Sequence, residues 1–287
     1  MIKQLYQTHE PVFSLEVFPP KKDSDIDLIY SALDSLKGLN PDFISVTYGA
    51  GGSTSKKTIE IASYIQNKLN VEAVAHLTCA ELDESSLQNF LDDLKAHKVK
   101  NILALRGDIP TGMSNEEFNQ RVFTHASDLI SHINKNPIGS IGAACYPETH
   151  PEALSFDSDI LNLKTKVDTG VDFLITQLFF DNHIFYQFLE KVRKAGITTP
   201  ISAGIMPITS ASQIQRIVEL SGSAVPTKLA HLVSKYADQP DDMKKAGLEF
   251  ATMQIEDLLT HQVDGIHLYT MNKVDVSQTI FKNIGRI

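Results

Sequence analysis

Long apolar runs are missing from this 287-residue chain. No stretch approaches the roughly 18 residues that a membrane-spanning helix requires. The opening residues, Met1-Ile2-Lys3-Gln4, lack the apolar region of a secretory signal. Both absences point to a cytoplasmic protein with no membrane partner. Cysteine is scarce, and Cys79 and Cys145, each near the end of a different apolar run, read as reduced core thiols rather than a disulfide framework. No Cys or His pair has metal-ligand spacing, so no metal is expected. Basic charge is short as well: 26 Lys and Arg stand against 35 Asp and Glu, for a net charge of -9. A nucleic-acid surface needs a basic footprint, and that class is set aside. Anionic small molecules, which respond to local charge, remain open. No internal repeat, low-complexity tract or linker interrupts the chain.

What is present is a regular alternation. Eight short apolar runs bounded by turn residues read as strands: 12-18, 43-49, 72-79, 101-107, 140-146, 173-180, 200-206 and 265-271. Helical stripes lie between them. Ser24 is placed to cap a helix with apolar face Ile26, Ile29, Leu33 and Leu36 and with Gly38 as its stop. Leu87, Phe90, Leu91 and Leu94 repeat the stripe, as do Ile184, Phe188, Leu189 and Val192 before Gly196. Eight such units in one domain over residues 1-287 fit an α/β fold, the (β/α)8 TIM barrel, which typically takes about 250 residues. The surplus falls in 223-261, read as two extra helices before the last strand, one around Leu229 to Tyr236 and one from about Asp241 to Thr260. A doubly wound open sheet shares this periodicity. The absence of Gly-x-Gly-x-x-Gly after the first strand counts against it.

Glu16 is the most informative single residue. It interrupts the run Val12-Phe13-Ser14-Leu15-Glu16-Val17-Phe18, which Pro19-Pro20 then ends. Burial raises a carboxyl pKa by as much as roughly 3 to 5 units, so Glu16 is expected to hold a proton near neutrality and to be a candidate general acid. The bland reading, an outward side chain or one paired with a structural cation, is about as common for a lone residue. What shifts the balance is that a barrel would gather polar groups at every strand end, where active sites of this fold lie. Thr47, Tyr48, His76, Thr78, Arg106, Asp108, Tyr146, Glu148, His150, Gln177, Tyr269, Asn272 and Lys273 would share that rim with Glu16. Each also has a structural reading. Gly49 to Gly52 can be a plain turn, His76 a satisfied barrel histidine, and Arg106 with Asp108 a strand-end ion pair. Gln177, an amide among apolar neighbours, needs partners.

At these residues the chain resembles the methylenetetrahydrofolate reductases, FAD-dependent (β/α)8 barrels of one-carbon metabolism. The resemblance rests on Phe13-Ser14-Leu15-Glu16-Val17-Phe18-Pro19-Pro20, Ser45-Val46-Thr47-Tyr48-Gly49-Ala50, His76-Leu77-Thr78-Cys79, Leu105-Arg106-Gly107-Asp108, Tyr146-Pro147-Glu148-Thr149-His150-Pro151-Glu152, Ile175-Thr176-Gln177-Leu178-Phe179-Phe180-Asp181 and His267-Leu268-Tyr269-Thr270-Met271-Asn272. It runs from residue 10 almost to the end. It implies a ping-pong oxidoreductase in which NADH or NADPH reduces FAD and the flavin then reduces 5,10-methylenetetrahydrofolate to 5-methyltetrahydrofolate, feeding methionine synthesis. By the same resemblance Glu16 is the general acid, and Asp108 is catalytic as well, lying between flavin and pterin. Gln177 and Lys273 would contact folate, and Thr47 would meet the nicotinamide. FAD would be held by Tyr48, Ala50, His76, Arg106, Gly107, Asp108, His125, Ala144, Tyr146, His150, Asp159, Asn162 and Lys166.

Three departures stand out: Thr165 where a basic residue is expected, His125 where a tyrosine often lies, and Ala211 where some members place a stacking phenylalanine. A homo-oligomer is implied. The length leaves no room for an added regulatory domain, so feedback through one is not expected. Two alternatives remain: a flavin barrel oxidising an amine such as proline, and a non-catalytic folate- or flavin-binding partner of another enzyme.

Overall fold

Strands that are covered by helices on one side and fill a barrel on the other are apolar on both faces, and the eight runs behave accordingly. In the computed structural model, which describes every residue except 9, 21, 49–52, 80, 81, 110 and 111, the strands are β1 (Val12–Val17), β2 (Phe43–Val46), β3 (Glu72–Thr78), β4 (Asn101–Leu105), β5 (Ile141–Cys145), β6 (Phe173–Thr176), β7 (Ile201–Ile205) and β8 (Gly265–Tyr269). They form a closed parallel barrel in chain order, β8 returning to β1. The helices among the described residues are α1 (Ile2–Leu5), α2 (Ile26–Lys37), α3 (Ser53–Tyr64), α4 (Glu84–Ala96), α5 (Asn115–Asn119), α6 (Ala126–Ile133), α7 (Phe156–Asp168), α8 (Asn182–Lys194), α9 (Ala211–Ser221), α10 (Thr227–Tyr236), α11 (Pro240–Thr260) and α12 (Val274–Asn283). The TIM barrel expectation and the two extra helices before the last strand, α10 and α11, hold. None of the helices is long and apolar enough to cross a membrane.

Local signals fix the helix ends with one correction. Ser24 does not cap α2: it lies in a 3-10 turn, Asp23–Asp25, and its hydroxyl donates to the Asp25 carboxylate at 3.0 Å. Gly38 is the stop of α2 as expected, in a right-handed conformation, φ -61°, and the left-handed turn follows at Asn40, φ 50°. Asn tolerates that region because its short amide bonds locally. Gly196 does take the left-handed position after α8, φ 77°.

The interior is graded along the barrel axis. At the amino ends Val12, Phe43, Val74, Leu103 and Phe173 make an apolar floor. Ile2, on the short N-terminal helix α1, is fully buried against it, and Tyr6 stacks on Phe173 with ring centres 6.1 Å apart. The Tyr6 hydroxyl shares a 2.7 Å hydrogen bond with Ser202. Toward the carboxyl ends Ser14, Ser45, His76 and His267 are buried polar groups. A second apolar zone, Leu178, Phe180, Ile208, Leu229 and Met243, seats α10 and α11. Gly247 lets α11 lie there, because a Cβ would fall 1.7 Å from the Ile208 carbonyl oxygen. Cys79 and Cys145 are buried free thiols whose pKa values burial pushes up to about 12, so neither is a thiolate at neutral pH.

Candidate active site

Side chains two residues apart on a strand share a face, so Ser14 and Glu16 of β1 project with His267 and Tyr269 of β8. The register pairs Ser14 with His267 and Glu16 with both Tyr269 and Ser45. The result is a compact cluster. Glu16 Oε2 lies 3.4 Å from His267 Nε2 and 3.4 Å from His76 Nε2. His267 makes an aligned hydrogen bond to the carboxylate, whereas His76 Nε2 is close without an aligned partner. Across its ring, His267 Nδ1 is 2.7 Å from Ser14 Oγ, and the Ser14 hydroxyl also reaches the Ile266 carbonyl at 3.3 Å.

The electrostatics overturn one expectation. Burial does push the Glu16 carboxyl up, but the hydrogen bond from His267, the fields of His76 and His267 and the Ser45 hydroxyl together hold it below the usual carboxylate range. Burial drives His76 the other way from a cation, down to about 4, so its imidazole is neutral at pH 7. The carboxylate is therefore the charged member and the barrel supplies its partners. Tyr269 completes the wall: its hydroxyl donates to the Thr176 carbonyl at 2.7 Å, and its ring stands edge-on to His267 at 5.3 Å. Gly204 makes room for it, since a Cβ there would approach Tyr269 Cε2 to 2.8 Å and the Thr176 carbonyl to 2.4 Å.

Beyond β4 and β5 lies a cleft of about 450 Å³ that brings together Arg106, Gly107, Asp108, His125, Ala144, Tyr146, His150, Asp159, Asn162 and Lys166. Its size is ordinary for a small-molecule site. Gly107 turns the chain at φ 77°, and a Cβ there would meet Thr78 Cβ at 2.8 Å. Arg106 is held by a bidentate pair with Glu152, one contact being 2.8 Å, rather than by Asp108, which is exposed. Lys166 donates to the Ala144 carbonyl at 2.6 Å; burial lowers its pKa, and among the described residues no carboxylate pairs with it. Tyr146 meets His150 edge-on at 4.6 Å, and the His150 backbone N–H donates to Asp159 at 2.8 Å. A guanidinium, an ammonium and imidazoles facing carboxylates suit a ligand carrying both phosphates and sugar hydroxyls, which is what a flavin dinucleotide presents.

The remaining candidates lie around this cleft. A second cavity, about 330 Å³, shares the Tyr146 and His150 walls and adds Gln177 and Glu148. Gln177 finds its partner locally, its side-chain oxygen accepting the Leu178 N–H at 2.9 Å. Thr47 follows β2, its N–H bonded to the Val17 carbonyl at 3.0 Å, and Tyr48 packs edge-on to Phe90. His76 lies inside the barrel against Glu16 and is not on the cleft wall. Lys273 precedes α12, exposed, and donates to Thr209 Oγ1 at 2.7 Å. Ala50 falls outside the described residues. Of the three departures, Thr165 lines the cleft but donates its hydroxyl to the Leu161 carbonyl. His125 precedes α6, exposed, on the cleft wall. Ala211 is the first residue of α9, behind the capping Ser210.

His267, Ser14, Ser45 and Glu152 were not singled out from the sequence. The signal for two of them was alternation: Ser14-x-Glu16 and His267-x-Tyr269 each place two polar groups on one strand face.

Comparison with known proteins identifies the family. The family model described as methylenetetrahydrofolate reductase matches residues 1–285. A methylenetetrahydrofolate reductase (NADH) of Arabidopsis thaliana is 35% identical over 297 residues, covering 100% of this chain and 50% of the relative. The 5,10-methylenetetrahydrofolate reductase of Escherichia coli is 33% identical over 272 residues, covering 95% of this chain and 90% of the relative. The chain thus spans about half the length of the plant relatives it matches. A solved structure, of an uncharacterized protein from Clostridium thermocellum that binds two copies of 5-methyl-5,6,7,8-tetrahydrofolic acid, superposes with a TM-score of 0.73 at 15% identity, covering 99% of this chain and 98% of that one. At that identity the likeness is one of fold.

Proposed function

Because this chain belongs to the methylenetetrahydrofolate reductase family, we propose that it reduces 5,10-methylenetetrahydrofolate to 5-methyltetrahydrofolate, with NADH or NADPH as donor and FAD as the bound cofactor. The observation that carries the reading is a carboxylate with two imidazoles at the barrel mouth, next to strands whose ends build a cleft lined by Arg106, Asp159 and Lys166. When bound, FAD supplies the hydride relay between nicotinamide and folate. Arg106, Asp159, Asn162 and Lys166 would hold it in the cleft, with Gly107 allowing close backbone approach and His125, Ala144, Tyr146 and His150 bordering it; Tyr48 and Ala50 are assigned to it by the family resemblance alone. The exposed Asp108 would add negative charge near the reacting ring.

The substrate's methylene bridge accepts a hydride only after its ring opens to an iminium at N5, which requires a proton on the departing N10. Glu16 delivers that proton, and His267 and His76 set how. The Nε2 atoms of both imidazoles lie 3.4 Å from its carboxylate, and His267 is aligned to hydrogen-bond it. Ser14 orients His267 from the far side of the ring: a hydroxyl donating to Nδ1 leaves Nε2–H facing Glu16. Gln177 and Lys273 orient the folate, and Thr47 meets the nicotinamide. Residues 1–287 act as one catalytic domain, in the cytoplasm, as a homo-oligomer.

The test is an anaerobic absorbance trace of the protein loaded with FAD. Bleaching of the flavin band by NADH or NADPH, followed by its return on adding methylenetetrahydrofolate, is the expected result and ranks the two donors. Flavin that bleaches and never returns with folate, but is bleached by proline, would move the assignment to an amine-oxidising barrel.

A further inference from the structure

The strand register of β1 with β8 ends at Glu16 and Tyr269, yet the chain beyond is held by one further backbone bond and by side chains that continue the seam. Thr270 donates twice to the Glu16 carbonyl, through its hydroxyl at 2.6 Å and its N–H at 3.3 Å. Next come two successive left-handed residues, Met271 at φ 51° and Asn272 at φ 55°. The amide of Asn272 then takes the part of a missing peptide group. Its oxygen accepts the Phe18 N–H at 3.1 Å, and its nitrogen donates to the Phe18 carbonyl at 2.9 Å. Its own N–H returns to Thr270 Oγ1 at 3.0 Å, so the clamp is braced from below. Pro19 and Pro20, which follow Phe18, have no N–H to offer any neighbouring strand.

Left-handed backbone disfavours Met271 in particular, and adjacent residues in that conformation persist only where surrounding bonds demand it. What these bonds hold is the stretch Glu16–Phe18. Glu16 must keep its carboxylate within 3.4 Å of two imidazoles rooted on other strands, and it sits one residue from the end of β1. Without the clamp, the β8 side holds this stretch only through the two Thr270 bonds to the Glu16 carbonyl, and among the described residues nothing from that side fixes Phe18.

We infer that Asn272 is a positioning residue for the proton-donating cluster: it completes the β1–β8 seam with its side chain and so fixes the Glu16 carboxylate between His76 and His267. The inference rests on the proposed role of Glu16 and adds the residue that aims it. Asn272 acts through Phe18 and Glu16; the cleft residues that would hold the flavin do not include it.

Two variants test this. Asn272→Gly tolerates the left-handed backbone but has no amide, so it removes the clamp without adding strain. Asn272→Asp keeps an acceptor for the Phe18 N–H and loses the donor to the Phe18 carbonyl. In the FAD-loaded protein, the glycine variant is expected to lose about 10²-fold in folate-driven flavin reoxidation, the scale of a misplacement near 1 Å, with bleaching by the nicotinamide donor little changed. The pH profile of reoxidation should move, and the aspartate variant should fall in between. In the flavin-free protein, a carbon-13 titration of labelled glutamate should show the Glu16 carboxyl rising toward its ordinary range in the glycine variant, a readout that a general loss of stability would not move. A glycine variant with wild-type reoxidation and wild-type Glu16 titration overturns the inference and leaves the role of Glu16 standing. Equal loss of both half-reactions overturns it too, reducing Asn272 to a structural residue. If the wild-type flavin is never reoxidised by folate, the functional reading fails and the inference falls with it.

Discussion

Replacing Glu16 by Gln removes one proton site while keeping nearly the same shape, and the structure sets what should follow. The amide still fits between Ser45 and the two imidazoles, but its oxygen accepts from His267 without a charge. A hydrogen bond to a charged group is worth about 1.5 to 3 kcal/mol and a neutral one about 1, so the cluster weakens by only about 1 kcal/mol and the barrel stays folded. Stability is further cushioned because the variant no longer desolvates a carboxylate. Proton delivery is a different matter. An amide has no proton to give at neutral pH, and the neutral His76 and the His267 held through Glu16 have no direct replacement path. The loss expected in folate-driven reoxidation is the full general-acid contribution, about 10² to 10⁴. Reduction of the flavin needs no protonated N10, so it should be almost untouched. Stopped-flow absorbance of the two half-reactions, recorded separately, reads both numbers. Ser14→Ala, which leaves Glu16 but removes the hydroxyl that sets the His267 tautomer, should give a smaller loss in the same half-reaction. Equal slowing of both half-reactions by Glu16→Gln would refute the general-acid argument, and so would wild-type reoxidation.

His76 should make the protein acid-sensitive. Its imidazole is held at about 4 against an ordinary 6.5, so the unfolded chain binds a proton that the folded one refuses. Stability is then full above pH 6.5 and falls as pH drops toward 4, by on the order of 3 kcal/mol for so buried a group. Urea midpoints measured across that window should decline in the wild type and decline less in His76→Gln; parallel curves would show that His76 is not the cause. Gly204→Ala should cost about 1 to 3 kcal/mol, since its Cβ has to displace the Tyr269 ring or the Thr176 carbonyl, and should slow turnover as the cluster wall shifts. A thermal melt and an activity assay check it, and unchanged values of both would show the wall to be yielding. Tyr6→Phe should cost about 1 kcal/mol through the lost bond to Ser202 and leave turnover alone, because Tyr6 sits on the barrel floor at the opposite end from the cluster. Altered folate kinetics in that variant would mean that floor and mouth are coupled.

The sequence by itself determined the sheet and the place of the chemistry. Strands buried on both faces must be apolar over their whole length, which makes an interruption such as Glu16 or His76 visible without coordinates. Parallel strands need long crossovers, so strand and helix alternate legibly, and α10 and α11 appeared as surplus before β8. The family motifs drew attention to residues that the fold then gathered along one cleft, Arg106, Gly107, Asp108, Tyr146, Asp159 and Lys166 among them. Tertiary structure decided the rest. Whether Glu16 is raised or lowered depends on partners 60 and 251 residues away, His76 and His267, and burial alone suggested the wrong sign. Arg106 chose Glu152 over the nearby Asp108 because the loop after β5 brings that carboxylate to the cleft. The cap expected at Ser24 moved by one residue to Asp25, since local propensity is weak beside the packing that sets where a helix begins, while Gly38 ends α2 as expected. Hydrophobic pattern is a local property repeated along the chain. The charge state of a buried group is a property of whichever side chains closure of the barrel brings within a few ångströms of it.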